Sequence, residues 1–328
     1  MSNGDMAPRL RSGRFLVLGR AGLDLQADPP GTEAEHANMF KASLGGSAAN
    51  IAVAIVKLGG TAALLTAVSD DAVGRYVTHQ LKAYGVDTAH VRKVGGEART
   101  SLAVVESRAV NTQSVIYRNG AADFQLAEAD VAGIDYSAYG ALVVTGTSLA
   151  MEPSRAATSL AMKAAKAAGL SVILDVDYRP YSWSSAEDAA RTCLEAARGS
   201  DIVVGNDLEF DVMAGQGKGL DLARTLGIRD GRIAIYKRGE KGAISFSGAQ
   251  ELRTGIYPVA PLKPTGAGDA FMGGFLTGLV QGLALEDCVR RGSAAAAITV
   301  TRVGCAPALP TTPELDQFMR AHTMTAAA

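Results

Sequence analysis

Pro264-Thr265-Gly266-Ala267-Gly268-Asp269 sets two glycines beside an acidic residue, just before the apolar positions Phe271, Phe275, Leu276 and Leu279. That later spacing predicts a helix, so Gly266, Ala267 and Gly268 fall at its N-terminus. Glycines there let the backbone approach a ligand closely, and converging N–H groups with the positive end of the dipole make an anion site. Asp269 then lies in the first turn, where an acidic side chain would repel a bound phosphate unless it had a task. Accepting the proton of an attacking hydroxyl is such a task. The competing reading is a capping aspartate on an ordinary glycine turn. The segment is not a Walker loop, since Gly-Lys-Ser/Thr is missing, and not a dinucleotide fingerprint, since it comes late and opens the wrong unit.

A second glycine-rich helix start, Leu44-Gly45-Gly46-Ser47-Ala48-Ala49-Asn50, offers backbone N–H groups and an amide side chain suited to sugar hydroxyls. Close packing of a helix start on a strand is the alternative. Two arginines are placed to act on a ligand. Arg118 ends a predicted strand and reaches over a pocket, and Arg179 follows the strand ending at Asp175. The planar guanidinium fork suits a carboxylate, although a surface ion pair would use the same residues.

These residues need elements to hold them. Phe15 to Gly19, Ala62 to Val68, Ala141 to Thr145, Ser171 to Asp175, Asp201 to Val204 and Arg232 to Tyr236 read as strands. Helices are predicted over Leu44 to Gly60, Val73 to Tyr84, Ser154 to Ala168, Ala186 to Ala197 and Leu220 to Leu226. Such alternation implies an α/β fold with a parallel sheet, helices on both faces, and ligands beyond the carboxyl ends of the strands. Asp28-Pro29-Pro30-Gly31 is a turn cluster, and the stretch from there to Lys41 is polar and poorly periodic. The run Thr100 to Tyr117 breaks the alternation with two strands, Ser101 to Val105 and Ser114 to Tyr117, joined by Asn111-Thr112. This excursion reads as a lid or a dimer contact.

Composition narrows the classes. In the 328 residues, 32 Lys and Arg nearly cancel 33 Asp and Glu, so the basic excess of a nucleic-acid binder is missing. Cys193, Cys288 and Cys305 are far apart and odd in number, which argues against a disulfide framework and for a reducing, cytoplasmic setting. The first apolar run, Phe15 to Leu18, is too short for a signal-peptide core, and no stretch predicts a membrane span. Residues 1–13 and 321–328 read as tails, the first of them disordered.

Taken together, Gly45-Gly46-Ser47-Ala48-Ala49-Asn50 and Thr265-Gly266-Ala267-Gly268-Asp269 resemble the two signatures of the ribokinase-like (PfkB) carbohydrate kinases. The order and separation match, and the resemblance runs from about Phe15 to Phe318. It implies a doubly wound, mostly parallel sheet over residues 14–320, with a small β-sheet lid from about 25–42 and 98–120. It also implies ATP and Mg²⁺ as cofactors, Asp269 as the base, and Gly266, Ala267 and Gly268 as the anion hole. Asp24, Gly45, Gly46 and Asn50 are implied on the sugar, and Thr265 on the nucleotide side. Asn206-Asp207-Leu208-Glu209 matches the family's Asn-x-x-Glu motif, which puts Asn206 near the phosphates and Glu209 on Mg²⁺, directly or through water. A capping helix start competes with that reading. Lys237, Gly239 and Gly242 resemble the nucleotide-side turn, where a solvated hairpin is the alternative. A homodimer through the lid is a family expectation as well.

Finer segments resemble the branch that phosphorylates 5-dehydro-2-deoxygluconate at its 6-hydroxyl in inositol catabolism. They are Gly19-Arg20-Ala21-Gly22-Leu23-Asp24-Leu25, Tyr117 to Asp123, Asp175-Val176-Asp177-Tyr178-Arg179-Pro180, Leu262 to Asp269, and Gly304 to Pro310. A sugar-acid substrate agrees with Arg118 and Arg179. Kinases of 2-keto-3-deoxygluconate share several of these patterns, but tend to have Asn where Asp177 stands. The broader family more often has Asp before Thr-Gly-Ala-Gly-Asp, helping to bind a monovalent cation, and Pro264 leaves activation by K⁺ open. Two other classes compete: a non-catalytic sugar sensor, expected to lose Asp269 or the glycines, and a dinucleotide oxidoreductase, for which Gly19-Arg20-Ala21-Gly22 is a poor fingerprint.

Overall fold

The computed structural model describes residues 10, 12–108 and 112–327, so most of the predicted N-terminal tail and the Asn111 joint lie outside the described residues. Along the chain run β1 (Arg14–Leu18), β2 (Gly22–Asp28), β3 (Met39–Gly45), α1 (Ser47–Lys57), β4 (Thr61–Ser69), α2 (Ala72–Ala83), β5 (Val91–Val94), β6 (Ser101–Val105) and β7 (Ser114–Tyr117). They are followed by α3 (Glu128–Ala132), β8 (Ala141–Thr145), α4 (Ser154–Ala167), β9 (Ser171–Asp175), α5 (Ala186–Gly199), β10 (Ile202–Asn206), α6 (Asp207–Ala214) and α7 (Gly219–Arg224). The chain closes with β11 (Ile233–Lys237), β12 (Ala243–Ser247), β13 (Gln250–Thr254), α8 (Ala267–Val280), α9 (Leu285–Val300) and α10 (Thr312–Ala321).

Nine strands form one sheet in the order β13-β12-β11-β10-β9-β8-β1-β4-β5. All its pairings are parallel except β11 with β12 and β12 with β13. The order reverses at β1, which pairs with β4 on one side and β8 on the other. A crevice opens at such a switch point, beyond the strand ends. Along β1 the apolar side chains alternate between faces. Phe15 and Val17 join a core with Ile51, Phe271, Phe275 and Val289, while Leu16 and Leu18 join Ala157, Cys193, Phe210 and Ala223. Helices therefore cover both faces, and each fully buried large side chain contributes about 1.5–3 kcal/mol.

A second sheet, ordered β3-β2-β6-β7, stands over the strand ends. Its β2–β6 pairing is parallel and its outer pairs are antiparallel. The stretch 28–41 gave no period because β3 alternates little: Met39, Phe40, Lys41 and Ala42 are all exposed. The helix expected from Leu44 begins only at Ser47, since Leu44 and Gly45 still belong to β3 and Gly46, at φ +97°, turns the chain. The helix expected through Leu226 stops at Arg224 and widens into a π-turn over Thr225–Arg229. Cys193, Cys288 and Cys305 remain buried thiols. Among the described residues no helix is long and apolar enough to cross a membrane. Near the C-terminus, Thr325 is tied to Ile256 by two backbone-anchored hydrogen bonds of 2.8 and 3.0 Å.

Candidate active site

A cavity of about 310 Å³ lies where the lid faces the ends of β1, β8 and β9. The lid contributes Asp24, Ala103, Val105, Ser114, Ile116 and Arg118; the strand ends contribute Arg20, Thr147, Asp177 and Arg179. The N-termini of α1 and α8 close it with Gly46, Ser47, Asn50, Thr265, Gly266 and Asp269. Two predicted glycine-rich helix starts, more than 200 residues apart, thus meet across one space. They are joined directly: Asn50 Nδ2 donates to Asp269 Oδ2 at 2.8 Å.

Gly266 caps α8 in the left-handed conformation, φ +83°, which a side chain would resist. Asp269 is the third residue of the helix it opens. Its carboxyl keeps part of its surface open to the cavity while protein crowds the rest. Burial, then the Asp177 carboxylate, push its pKa up to about 6, against the opposing effects of Asn50, Arg179 and Lys237. A carboxylate titrating near neutrality is poised for proton acceptance. Lys237 reaches the same loop from β11: its Nζ lies 3.6 Å from the place a Cβ on Gly268 would take. Gly239 and Gly242 shape the β11–β12 turn beyond it, Gly242 at φ +77°. Thr265 lines the cavity, its buried hydroxyl lacking a protein partner.

Of the two glycines before α1, Gly46 lines the cavity, and Gly45 instead clears room for Asp24, whose Oδ1 would sit 1.9 Å from a Cβ there. Burial raises the Asp24 pKa, opposed by Arg20, a hydrogen bond from the Cys305 thiol, and Lys263. Arg118 and Arg179 both line the cavity, but each already holds a carboxylate. Arg118 Nε and Nη2 bind Asp123, and its guanidinium stacks 4.0 Å from the Phe124 ring. Its Nη1 is buried without a partner. Arg179 Nη2 lies 2.8 Å from Asp177 Oδ1.

Asn206 and Glu209 stand away from the cavity wall, in a reciprocal cap at the start of α6. Asn206 Oδ1 accepts from the Glu209 N–H at 2.9 Å, while Glu209 Oε2 accepts from the Asn206 N–H at 2.7 Å and Oε1 from the Tyr178 N–H at 3.2 Å. Glu209 also faces Asp175, whose pKa burial raises well above the ordinary range, with Lys237 the one cation acting against it.

Sequence reasoning passed over Arg20, Ser47, Thr147, Tyr181, Lys263 and Cys305, all in or beside the cavity. Asp177 was noticed only as a departure from Asn. It sits at φ +39° and accepts from Ser47 Oγ at 2.5 Å and Thr147 Oγ1 at 3.2 Å. Lys263 is 1% exposed, its ammonium bonded to the Thr265 carbonyl beneath the anion loop. A charged residue directly before Pro264 was the available signal for it, as was Arg20's place at the end of the first strand.

The Asp177 charge raises the Asp269 pKa, which gives a test. A rate that needs the Asp269 carboxylate should rise with pH through about 6 and level off above it. Below the midpoint it should climb about tenfold per unit. In Asp177→Asn the repelling charge is gone and Arg179 is released from its partner, so the midpoint should move to lower pH. A pH–kcat/KM profile with an unmoved midpoint would separate Asp177 from Asp269.

Against this open, doubly wound sheet with a glycine-opened loop, a buried carboxyl group and a β-sheet lid, residues 13–312 match the model of the pfkB family carbohydrate kinases. This chain belongs to that family and is a carbohydrate kinase. A Photobacterium profundum protein called 5-dehydro-2-deoxygluconokinase is 41% identical over 310 residues, covering 93% of this chain and 94% of the relative. One of the same name from Geobacillus kaustophilus is 34% identical, covering 94% of each. Among solved structures, a putative ribokinase II from E. coli in complex with ATP and Mg²⁺ superposes with a TM-score of 0.84 at 21% identity, over 95% of this chain and all of that one. The fold expected from the sequence is the fold observed.

Proposed function

We propose that this kinase transfers the γ-phosphoryl group of ATP to the 6-hydroxyl of 5-dehydro-2-deoxy-D-gluconate, with Asp269 as general base. The observation that carries the reading is Asp269 itself: on the glycine-opened start of α8, oriented by Asn50, and tuned to about 6. The substrate assignment rests on the two relatives of that name and on the arginines in the cavity.

In the proposed reaction Asp24 and the spare Asn50 Oδ1 hold sugar hydroxyls. Asp269 orients the 6-hydroxyl and takes its proton as the oxygen attacks the γ-phosphorus in line. The N–H groups of Gly266, Ala267 and Gly268, with the Lys237 ammonium beside them, offset the charge on the equatorial oxygens. Thr265, Asn206, Gly239 and Gly242 belong to the nucleotide side. Closure of the lid excludes water and so suppresses hydrolysis of ATP.

The donor set suits Mg²⁺. The Glu209, Asp177 and Asp269 carboxylates all act on the buried Asp175, and Asp177 acts on Asp269, a cluster of hard oxygen groups. Glu209 spends both oxygens on backbone N–H groups, but each keeps a lone pair, so it would hold the ion through water. When bound, the ion draws charge from the phosphates. Lys263 places its ammonium beneath the glycine loop, on the Thr265 carbonyl.

The lid also exposes Met39, Phe40, Val115 and Tyr117 on its two edge strands, the surface we assign to a homodimer. Sedimentation velocity showing only monomer at micromolar concentration would remove that assignment. For the reaction, ADP release is measured with ATP and Mg²⁺ against 5-dehydro-2-deoxygluconate, 2-keto-3-deoxygluconate, ribose and fructose. The first should be preferred by kcat/KM. Preference for 2-keto-3-deoxygluconate would move the chain to that activity, and preference for a neutral sugar would discard the carboxylate argument. Silence throughout would favour a non-catalytic sugar sensor.

A further inference from the structure

We propose that Arg20 is the residue that selects a sugar acid, by binding the substrate carboxylate, and that Arg118 and Arg179 play supporting parts. The inference rests on the sugar-acid reading above and refines it.

Three guanidinium groups line the cavity, and their charges are not equally available. Arg179 is paired with Asp177, and Arg118 is paired with Asp123 through two of its three nitrogens. Each of these ion pairs is a finished structural unit: one holds the loop after β9, the other the end of the lid strand β7. Bringing a second carboxylate to either arginine sets two like charges on one fork. Arg20 differs. Its only side-chain partner among the described residues is a neutral hydroxyl, Ser101 Oγ, which accepts from Nη1 at 3.0 Å. No carboxylate lies within ion-pairing distance of it among the described residues, although the residue is only 9% exposed. A charge so deeply placed is costly without a partner. The Ser101 bond uses one of five N–H donors, leaving the fork to be completed from the cavity side.

Its position fits a ligand contact. Arg20 lies two residues past the end of β1, the strand at which the sheet order reverses. Gly22 leaves room for the folded-back guanidinium, whose Nη1 would lie 2.9 Å from a Cβ there. The charge of Arg20 is felt at Asp24 and Cys305 on the floor, and at Tyr181 on the rim, where the charges of Arg179 and Arg118 are felt too. A carboxylate entering beside Tyr181 therefore meets three cations, of which one is uncommitted. The buried, unpartnered Nη1 of Arg118 gives it a second donor without breaking the Arg118–Asp123 pair.

The test compares R20M, R20K, R118M and R179M with the unaltered enzyme, using 5-dehydro-2-deoxygluconate and fructose with ATP. R20M should raise KM for the sugar acid about 10²-fold or more, the size expected when a buried charge loses its partner. The Kd for ATP should stay within about threefold, which shows the fold and the glycine loop intact, and fructose turnover should fall much less than turnover of the sugar acid. R20K keeps the charge and loses the fork, so its KM should fall between those of R20M and the unaltered enzyme. A sugar-acid KM unchanged in R20M, but raised in R118M or R179M, overturns the inference and leaves the sugar-acid reading standing. If R20M loses both substrates equally, Arg20 is a structural residue and the inference fails. An unaltered enzyme that never turns over a sugar acid overturns both.

Discussion

Asp269→Asn should bind ATP and sugar almost as the native enzyme does, and turn over about 10³- to 10⁴-fold more slowly. Asparagine fills the same volume and can still meet Asn50, which donates to the aspartate at 2.8 Å. What it lacks is the carboxylate proposed to accept the proton of the attacking hydroxyl. Loss of a general base accounts for about 10²–10⁴-fold, and here the loss should sit near the upper end because Asp269 also orients the nucleophile. Pre-steady-state kinetics with isothermal calorimetry for the two ligands separates the effects. A variant within tenfold of native turnover would remove Asp269 from the role of base. The variant should also lose the rise of rate through about pH 6, since the group responsible no longer titrates.

Gly46→Ala should be nearly inactive and markedly less stable. The residue sits at φ +97°, and an added Cβ would lie 2.4 Å from the Arg20 carbonyl oxygen and 2.8 Å from the Ala21 Cα. The conformation alone costs roughly 1–3 kcal/mol for a residue with a side chain. The collision is with backbone, so relief requires β1, the following turn or α1 to move. Any such shift at Ser47 carries Asn50 with it, and with Asn50 the orientation of Asp269. Gly31→Ala is the control: its φ is +95°, but nothing lies within 4 Å of its added Cβ. It should lower the thermal midpoint modestly and leave turnover untouched. Equal behaviour of the two variants would mean that strain, and not the contact with Arg20, sets the role of Gly46.

The glycine-opened start of α8 was legible because it is local. A glycine pair, an aspartate and a helical apolar run are all within fifteen residues, and spacing alone places them. The alternation of strands and helices was legible for the same reason. What stayed hidden depends on distance or on neighbours. Arg118 and Arg179 could be read as ligand contacts or as surface ion pairs, and the folded chain shows each already paired, with Asp123 and Asp177. Asn206 and Glu209 look alike in sequence whether they cap a helix or arrange an ion, and the structure shows them in a complete reciprocal cap. Thr147 carries no pattern of its own and gains meaning from Asp177, while Lys263 carried only its place before Pro264 and gains meaning from Thr265. The strand β13 went unread because its mostly exposed positions blur the alternation, and β12 because its run of buried positions has no alternation to read.

The bond between Asn50 and Asp269 spans 219 residues. During synthesis the sugar-facing half, including β1, the lid and α1, is complete long before α8 leaves the ribosome. Until then Asn50 has no Asp269 to meet and the glycine loop of α8 does not exist, so on the proposed mechanism a partly made chain has no way to hydrolyse ATP. A protein cut anywhere ahead of α8 would be equally silent, however well its sheet had formed.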